Sequence, residues 1–448
     1  MRIAVIGAGI VGVTTAYELV AAGHEVTVFE RRGSVAAETS FANAGVVAPG
    51  YVTPWAAPGM PRKVLRSLFA RHAPVRLHAS LDPALAAWIW RWWRACRSEV
   101  WQANRTRMQR LAVFSRHRLH ELTKALQLDY EHENGYLVLL RNEADLAAVR
   151  PGLKLLTELG NRFHLVDAAR CRELEPALNP DTPLHAGVHL PDDEVGNCRQ
   201  FAHLLRHEAQ KLGARWCFHT EVQRLVAGAQ PRVVHRYLPP AESTQLMMEP
   251  STSARGDAVA TEPAPLEPID EVFDTVVVCA AMGSPALLKP LGVRLPLRAV
   301  HGYSITAPLR PDDSAAERAP RAALMDERYK VAISRIGQRV RVAGSAELGG
   351  RLDKQDPRAI ETLYKVLEDW FPGAARLSQV QRWKGARPML PDGPPLIGAS
   401  GTAGIWLNLG HGSSGWALAC GSAYALAQAM QGREAPIPLD GLGIERLR

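Results

Sequence analysis

The first thirty residues constrain the fold more than any other part of the chain. They contain a β-branched run, three glycines spaced Gly-x-Gly-x-x-Gly, an apolar stretch of helical length and a second β-branched run. The glycines are Gly7, Gly9 and Gly12. This spacing in a strand–turn–helix–strand context is typical of a dinucleotide-binding α/β unit. We therefore predict that the chain begins with such a unit, the alternative being a plain glycine-rich turn.

Each glycine has a separate task in such a unit. Gly7 permits the tight turn, Gly9 lets the backbone approach a pyrophosphate, and Gly12 allows the helix to pack closely on the strand. The helix begins at Ile10 and Val11, where unpaired backbone N–H groups and the positive end of the helix dipole favour phosphate.

Glu30 closes the unit, eighteen residues after Gly12. An acid at this position accepts hydrogen bonds from a ribose diol and disfavours the 2′-phosphate of NADP. We expect its neighbour Arg31 to contact the cofactor as well. The unit alone leaves the choice between NAD and FAD open.

The composition of the chain narrows its class. Its 448 residues are enough for two or three domains. Its composition, with 47% hydrophobic and 22% charged residues, excludes a disordered or collagen-like chain. Six cysteines without a Cys-x-x-Cys pair argue against a zinc ribbon or a thioredoxin-like motif, and we expect no metal site. Free thiols and the lack of an apolar run of roughly 18 residues predict a cytoplasmic protein.

The later pattern of runs predicts an α/β protein, α+β overall. In it, a Rossmann-like dinucleotide-binding domain is interrupted by an antiparallel-sheet substrate domain. A strand at 274–279 ends in a small-residue turn with Gly283, where the backbone can meet a cofactor. We assign to the dinucleotide-binding domain residues 1–60, 155–227, 271–297 and 384–448, and to the substrate domain residues 61–154 and 298–383.

Residues 228–270 stand apart from both domains. They contain seven prolines and many Ala, Ser, Thr and Glu residues, without periodicity. Such a segment buries too little apolar area to order itself. We predict a Pro-rich surface insertion that is mobile over most of its length and dispensable for chemistry.

Further motifs extend in order over nearly the whole chain. They are Thr39–Gly45, Pro49–Tyr51, Pro54–Gly59, Asp192–Cys198, Gly302–Pro308, Arg387–Gly393 and Gly410–Trp416. Together they resemble bacterial FAD-dependent D-amino-acid dehydrogenases of the D-amino-acid oxidase superfamily. The dinucleotide-binding domain is then expected to bind FAD.

The resemblance implies FAD that is bound without a covalent link. It places the isoalloxazine beside a C-terminal turn formed by Gly410, Gly412, Ser413, Ser414 and Gly415, which opens an apolar helix. The N-terminus of that helix would stabilise negative charge on the reduced flavin. The resemblance also brings Ser40, Asn43, Ala44 and Gly45 to the pyrophosphate and flavin, and Val222 to the adenine. Taken alone, the C-terminal turn has another interpretation, in which Ser413 or Ser414 is the N-cap.

For the substrate, Arg387 matches the family arginine that binds a carboxylate. A planar guanidinium suits this task because it meets a carboxylate through two parallel hydrogen bonds. The alternative is a surface ion pair. Tyr329 and Tyr303 match positions where the superfamily places a tyrosine against the substrate, the alternative for each being core packing. We interpret His411 as a turn or flavin contact rather than a base.

The implied reaction is the oxidative deamination of D-amino acids to 2-oxo acids and ammonia. A hydride would pass from Cα to flavin N5, and a quinone or other membrane acceptor would take the electrons. Two alternatives stay open at this point. One is an oxidase or dehydrogenase of another small amine acid, such as glycine, sarcosine or a hydroxyproline isomer. The other is a non-catalytic flavin-binding membrane module.

Positive charge is concentrated in one segment of a chain whose net charge is +8. Residues 60–120 hold 13 Arg and Lys but two acids, and residues 88–101 hold five of the eleven tryptophans. A helical stripe of Trp90, Trp93, Arg97 and Trp101 suits an anionic membrane surface. The alternative is a helix packed on the substrate domain. No motif indicates nucleic acid, so we expect a cytoplasmic protein, peripheral at most on the inner face of the membrane.

Overall fold

The structure, a computed structural model, describes residues 1–67, 70–78, 82–239, 267–310 and 318–447. In chain order its strands are β1 (Arg2–Ile6), β2 (Glu25–Phe29), β3 (Val46–Val47), β4 (Val75–Leu77), β5 (His132–Leu140), β6 (His164–Asp167), β7 (Ala186–Gly196), β8 (Arg215–Cys217), β9 (Thr220–Val226), β10 (Arg232–Tyr237), β11 (Ile269–Val272), β12 (Thr275–Val278), β13 (Arg298–Pro308), β14 (Ala323–Asp326), β15 (Val331–Ile336), β16 (Arg339–Leu348), β17 (Gln381–Met389), β18 (Leu396–Ala399) and β19 (Ile405–Leu409). Its helices are α1 (Ile10–Ala21), α2 (Met60–Ser67), α3 (Pro83–Ala95), α4 (Ser98–Ala125), α5 (Glu143–Glu158), α6 (Ala168–Leu174), α7 (Cys198–Lys211), α8 (Ser284–Leu288), α9 (Pro357–Trp370) and α10 (Gly415–Met430).

The first sheet has the strand order β18-β19-β12-β1-β2-β8. Its strands run parallel except for β18, which pairs antiparallel with β19. Helices α1, α7 and α10 share one apolar core with this sheet, in which Val13, Leu205 and Leu418 are fully buried. Nearly all residues of α1 are buried, because the helix lies between the sheet and the other two helices. The predicted α/β unit is confirmed.

The second sheet follows the order β17-β13-β16-β15-β14-β5-β7-β3, with β4 beside β16 and β6 beside β7. Most of its pairs are antiparallel, which confirms the predicted sheet-rich domain. Side chains alternate between its two faces. One face packs against α9 through residues such as Ile305, Ile333 and Leu363. The other face carries Ser304 and Ser334 toward the loop at residues 40–45.

The domain boundaries differ from those predicted. Strands β3 and β7 belong to the second sheet, although residues 1–60 and 155–227 were assigned to the dinucleotide-binding domain. Strand β17 also belongs to it and runs past the predicted boundary at 384. The partner of a strand depends on packing between distant segments, which local periodicity does not reveal.

A third, small sheet has the order β11-β10-β9. The predicted insertion at 228–270 is therefore too wide, because both of its ends form strands. Val233 is fully buried, and β10 pairs with both neighbours. The rest of the segment, 240–266, lies outside the described residues.

The tryptophan-rich segment is two helices rather than one. Helix α3 ends at Ala95, with Cys96 as its C-cap, and α4 begins at Ser98. Trp90 and Trp93 are exposed, whereas Trp101 lies half-buried against the guanidinium of Arg105. The predicted stripe from Trp90 to Trp101 is therefore wrong beyond Trp93, because one helix ends at Ala95 and a second begins at Ser98.

Candidate functional site

The glycine turn after β1 has the geometry that close phosphate approach requires. Gly7 has φ +100° and donates its N–H to the Phe29 carbonyl at 2.8 Å. A Cβ on Gly12 would stand 1.9 Å from the Gly7 oxygen, so only glycine fits there. Gly9 is the N-cap of α1 and has no side chain of its own to cap the helix. The Ile10 N–H donates to Ser40 Oγ at 3.1 Å, which brings the next loop over the first turn that also holds Val11.

The residues predicted at the adenosine end lie at the carboxyl end of β2 and beside it. Glu30 accepts hydrogen bonds from the backbone N–H groups of Ala8 (2.7 Å) and Arg32 (2.8 Å), and burial raises the pKa of its carboxyl group. Arg31 pairs with Glu38 at 2.7 Å. Val222 lies half-buried on β9 against the core of the first sheet. Their contacts with ribose and adenine stay predictions.

The loop at residues 40–45 is held by the second sheet. Its consecutive carbonyls accept side-chain hydrogen bonds: Ala42 from Ser304 (2.8 Å), Asn43 from Arg341 (3.0 Å), Ala44 from Ser334 (2.7 Å) and Gly45 from Trp416 (3.1 Å). Sequence reasoning missed these donors because they come from separate strands and a distant helix. The loop therefore joins the predicted cofactor turn to the substrate domain.

The C-terminal turn lies directly against the end of β17. Gly410 and Gly412 have φ of +79° and +58°, and His411 forms a backbone bridge to Met389. A Cβ on Gly412 would stand 2.5 Å from the Met389 sulfur. Gly415 opens α10, and its preceding residue Ser414 makes no capping hydrogen bond.

The alternative interpretation of this turn as a serine N-cap is right for the position of Ser414, but the Ser414 side chain makes no capping hydrogen bond. Ser413 is exposed at the same turn. Gly283 lies on the turn Ala281–Gly283 that follows β12, where Ala281 adopts φ +44°.

Arg387 points from β17 onto the sheet face that meets the loop at residues 40–45. Its guanidinium lies over Gly302, donates to the Ser345 carbonyl at 2.8 Å, and stands 5.5 Å from the ring centre of Trp55. Burial lowers its pKa to about 10. Within the part of the chain that the structure describes, no carboxylate pairs with Arg387. The alternative interpretation of Arg387 as a member of a surface ion pair is therefore wrong among the described residues.

The two candidate tyrosines do not join Arg387. Tyr303 points to the α9 face, where its hydroxyl donates to Glu347 and accepts from the Asp356 N–H at 3.0 Å. Tyr329 lies in the turn before β15, not in the strand, and its ring lies under the guanidinium of Arg141 at 5.0 Å. Strand alternation and the turn direct both rings away from Arg387, so the structure does not bring them to the proposed carboxylate site, and their contact with substrate stays a prediction.

His411 is buried, and its Nε2 lies 3.0 Å from Ser422 Oγ. Burial lowers the pKa of its imidazole to about 3. The ring is therefore neutral at physiological pH and occupied by a structural hydrogen bond. Its geometry fits the predicted role in the turn and not that of a base.

A polar cluster on the site face was missed by sequence reasoning. The Tyr51 hydroxyl donates to Glu327 at 2.7 Å and accepts from the Lys330 ammonium at 3.1 Å. The Tyr136 ring lies edge-on to Tyr51, with centres 5.7 Å apart. Tyr51 belongs to a motif that sequence analysis did identify, but its partners come from a distant turn with no motif of their own.

Comparison with known proteins identifies the family. The model of the DAO family, described as FAD dependent oxidoreductase, matches residues 2–429. The chain belongs to this family. It is 41% identical to the D-amino acid dehydrogenase of Rhizorhabdus wittichii, with 100% of each chain covered. It is 42% identical to the D-amino acid dehydrogenase of Cereibacter sphaeroides, with 100% of this chain and 95% of that protein covered.

A solved glycine oxidase from Geobacillus kaustophilus shares the fold of this DAO-family chain. The TM-score is 0.71 at 16% identity, over 99% of this chain and 98% of the other. The resemblance predicted from the motifs is thus confirmed, and so is FAD as the cofactor. None of the helices within the described ranges is long and apolar enough to cross a bilayer.

The residues present fit FAD on their own geometry. Two helices, α1 and α10, begin at glycine-rich turns whose N-cap residues make no side-chain capping hydrogen bond. Ser40 engages the Ile10 N–H of α1, and the other first-turn N–H groups are available to an acceptor. The loop at residues 40–45 lies between those turns and the second sheet. Gly7 to Gly12 would hold the diphosphate, and residues 42–45 with 410–415 would hold the ring system.

Proposed function

We propose that this chain oxidises D-amino acids to 2-oxo acids and ammonia. The observation that carries the proposal is Arg387, a partly buried guanidinium without an acidic partner among the described residues, beside the predicted flavin turn. A buried charge in this state is stabilised when a ligand supplies the opposite charge. Relatives at 41–42% identity that are named D-amino acid dehydrogenase support a carboxylate-bearing amino acid as that ligand.

Arg387 is fixed before a substrate arrives. The Ser345 carbonyl accepts a hydrogen bond from Nη1 of Arg387, and the Trp55 ring lies against the guanidinium. Gly302 has no side chain, which leaves room for the guanidinium on the sheet. The remaining N–H groups of the guanidinium can donate to both oxygens of a carboxylate. Binding in this way fixes the orientation of Cα, which is the main contribution to rate that positioning makes.

FAD, when bound, would supply a two-electron acceptor that takes the substrate's Cα hydrogen as a hydride. The substrate amine loses the Cα hydride and one proton from nitrogen, which leaves an imino acid that water hydrolyses to a 2-oxo acid and ammonia. Neutral His411, bonded to Ser422, supplies no base, so a substrate with an uncharged amine is the reactive form. Arg387 orients the carboxylate, and Trp55 reduces access of water to it.

Product analysis with a soluble quinone analogue tests this function. D-amino acids should yield one 2-oxo acid and one ammonia for each quinone reduced. Glycine, sarcosine and hydroxyproline isomers serve as rival substrates, and L-amino acids as matched controls. Turnover of a rival substrate faster than that of any D-amino acid would contradict the proposal, and lack of turnover with all of them would favour a non-catalytic flavin module.

We further infer that the electrons pass to a quinone-type acceptor at an anionic membrane surface, contacted by residues 60–120. Trp90 and Trp93 are 56% and 52% exposed on α3, and their rings stack 5.1 Å apart. Arg91, Arg94 and Arg97 are exposed without an acidic partner among the described residues. Exposed indoles next to unpaired arginines suit the boundary of an anionic bilayer.

The other end of the basic segment supports the same inference by contrast. Its arginines are used within the protein: Arg110 pairs with Asp440, Arg116 with Asp193, and Arg118 with Glu18. Trp88, on the inner side of α3, donates to the Met389 carbonyl at 3.3 Å. Met389 in turn forms a backbone bridge with His411. Helix α3 therefore connects the exposed tryptophans to the strand that lies against the flavin turn.

A further inference from the structure

Arg341 is a second buried guanidinium that the proposed reaction does not use. It is 6% exposed on β16 and faces the same side of the sheet as Ser304 and Ser334. Its Nη1 donates to the Asn43 carbonyl and its Nε to Thr306 Oγ1, each at 3.0 Å. Both acceptors are neutral.

The surroundings of Arg341 do not neutralise it. Within the described ranges no carboxylate pairs with it, because Glu131, the acid that acts on it electrostatically, is engaged by Arg339 at 2.7 Å. Arg199 adds further positive charge and lies 4.3 Å from the ring centre of Phe41. Burial lowers the pKa of Arg341 to about 10, so the guanidinium keeps its charge at neutral pH. A buried charge of this kind is costly unless an anion offsets it.

The position of Arg341 indicates where a compensating negative charge would lie. Asn43 is fixed from two sides, since its Oδ1 accepts from the Gly45 N–H at 2.9 Å and its carbonyl accepts from Arg341. This turn is the part of the loop that would hold the flavin ring. A positive charge in a low-dielectric interior favours the state of a neighbour that carries more negative charge.

We propose that Arg341 is a positioning residue that stabilises reduced FAD, because its charge lies directly behind the turn Asn43–Gly45. Reduction adds negative charge to the flavin, and Arg341 offsets that charge without touching substrate. The proposal rests on membership of the FAD-dependent family and not on the substrate, so its failure leaves the proposed oxidation of D-amino acids untouched.

The test compares Arg341→Gln, which keeps donors but loses the charge, with Arg341→Lys, which keeps the charge. The readouts are the midpoint potential of bound FAD and its affinity for sulfite, which adds to the oxidised flavin and leaves a negative charge on it. Arg341→Gln should weaken sulfite binding at least tenfold and lower the potential by about 30 mV, the equivalent of tenfold for a two-electron couple. Arg341→Lys should stay within threefold of the unaltered protein.

Arg376→Gln is the matched control, since it removes one positive charge from an exposed side chain outside the strands of the second sheet. It should change both readouts less than twofold. A loss of FAD affinity in Arg341→Gln with unchanged potential and sulfite binding would contradict the proposal and assign Arg341 to the diphosphate. If Arg341→Gln does not retain FAD, the test depends on Arg341→Lys. A tenfold loss of sulfite affinity in the lysine variant would then contradict the proposal.

Discussion

Arg387 lies against the backbone of Gly302, where any side chain would collide with the guanidinium. A Cβ at residue 302 would stand 2.3 Å from Nη2 of Arg387. We expect Gly302→Ala to displace the guanidinium and raise KM for amino acids strongly, while FAD content stays unchanged. Gly152→Ala is the control, because a Cβ there meets its nearest neighbour at 3.8 Å. Equal kinetics of the two variants would show that the guanidinium does not bind substrate in this position.

The charge of Arg387 itself is tested by Arg387→Leu and Arg387→Lys. Loss of one partner of a buried charge pair costs about 2–5 kcal/mol, so kcat/KM of the leucine variant should fall by roughly 30-fold or more. The kcat/KM of the lysine variant should lie between those of the leucine variant and the unaltered protein, since lysine keeps the charge but not the planar arrangement of two parallel donors. Steady-state kinetics and the FAD absorbance of each variant measure both effects, and near-normal kinetics of Arg387→Leu would place the carboxylate anchor elsewhere.

At the scale of elements, α3 is expected to bind anionic membranes. Trp90→Ala/Trp93→Ala should lower binding to vesicles that contain phosphatidylglycerol, and binding should fall further as salt screens the arginines. Leu165→Ala/Leu212→Ala is the matched control, because these leucines are 51% and 52% exposed elsewhere. Sedimentation of the protein with vesicles measures the binding of each variant. Unchanged binding, or a dimer that dissociates in the tryptophan variant, would contradict the membrane contact.

The connection between β10 and β11 is a second prediction at this scale. These strands are antiparallel neighbours, with His235 opposite Ile269, so a short turn suffices to join them. Replacement of residues 240–266 by a Gly/Ser turn should leave FAD content and turnover largely intact. Loss of bound flavin in that variant would show that the segment has a structural role.

What the sequence revealed about these elements depended on whether the signal was local. The turn from Gly7 to Gly12 and the apolar helix after Gly415 were predicted, because spacing and periodicity lie within one stretch of chain. The surroundings of Tyr303 and Tyr329 on the α9 face could not be predicted, because a motif gives a position along a strand but not the contacts of its side chain. The donors Ser304, Ser334 and Arg341 escaped prediction because strand pairing alone brings them together.

At the scale of the whole molecule, we expect FAD to join the two large sheets, since its predicted contacts lie on turns from both. We expect non-covalent binding, and the protein should unfold at a higher temperature as free FAD increases, because a ligand of the folded state stabilises it by mass action. Denaturation should release FAD into the supernatant, where chromatography identifies it. Flavin that stays on the polypeptide would contradict this expectation.

Anaerobic flavin reduction tests the central claim most directly, since it observes transfer from substrate to FAD without any external acceptor. Rapid mixing with paired enantiomers of one amino acid should bleach the flavin absorbance with the D-form and leave it oxidised with the L-form. Deuterium at Cα should slow the bleaching, and Arg387→Leu should slow it by roughly 30-fold or more at the same low substrate concentration. Bleaching by the L-form at an equal rate, or by the D-form equally fast without Arg387, would contradict the account.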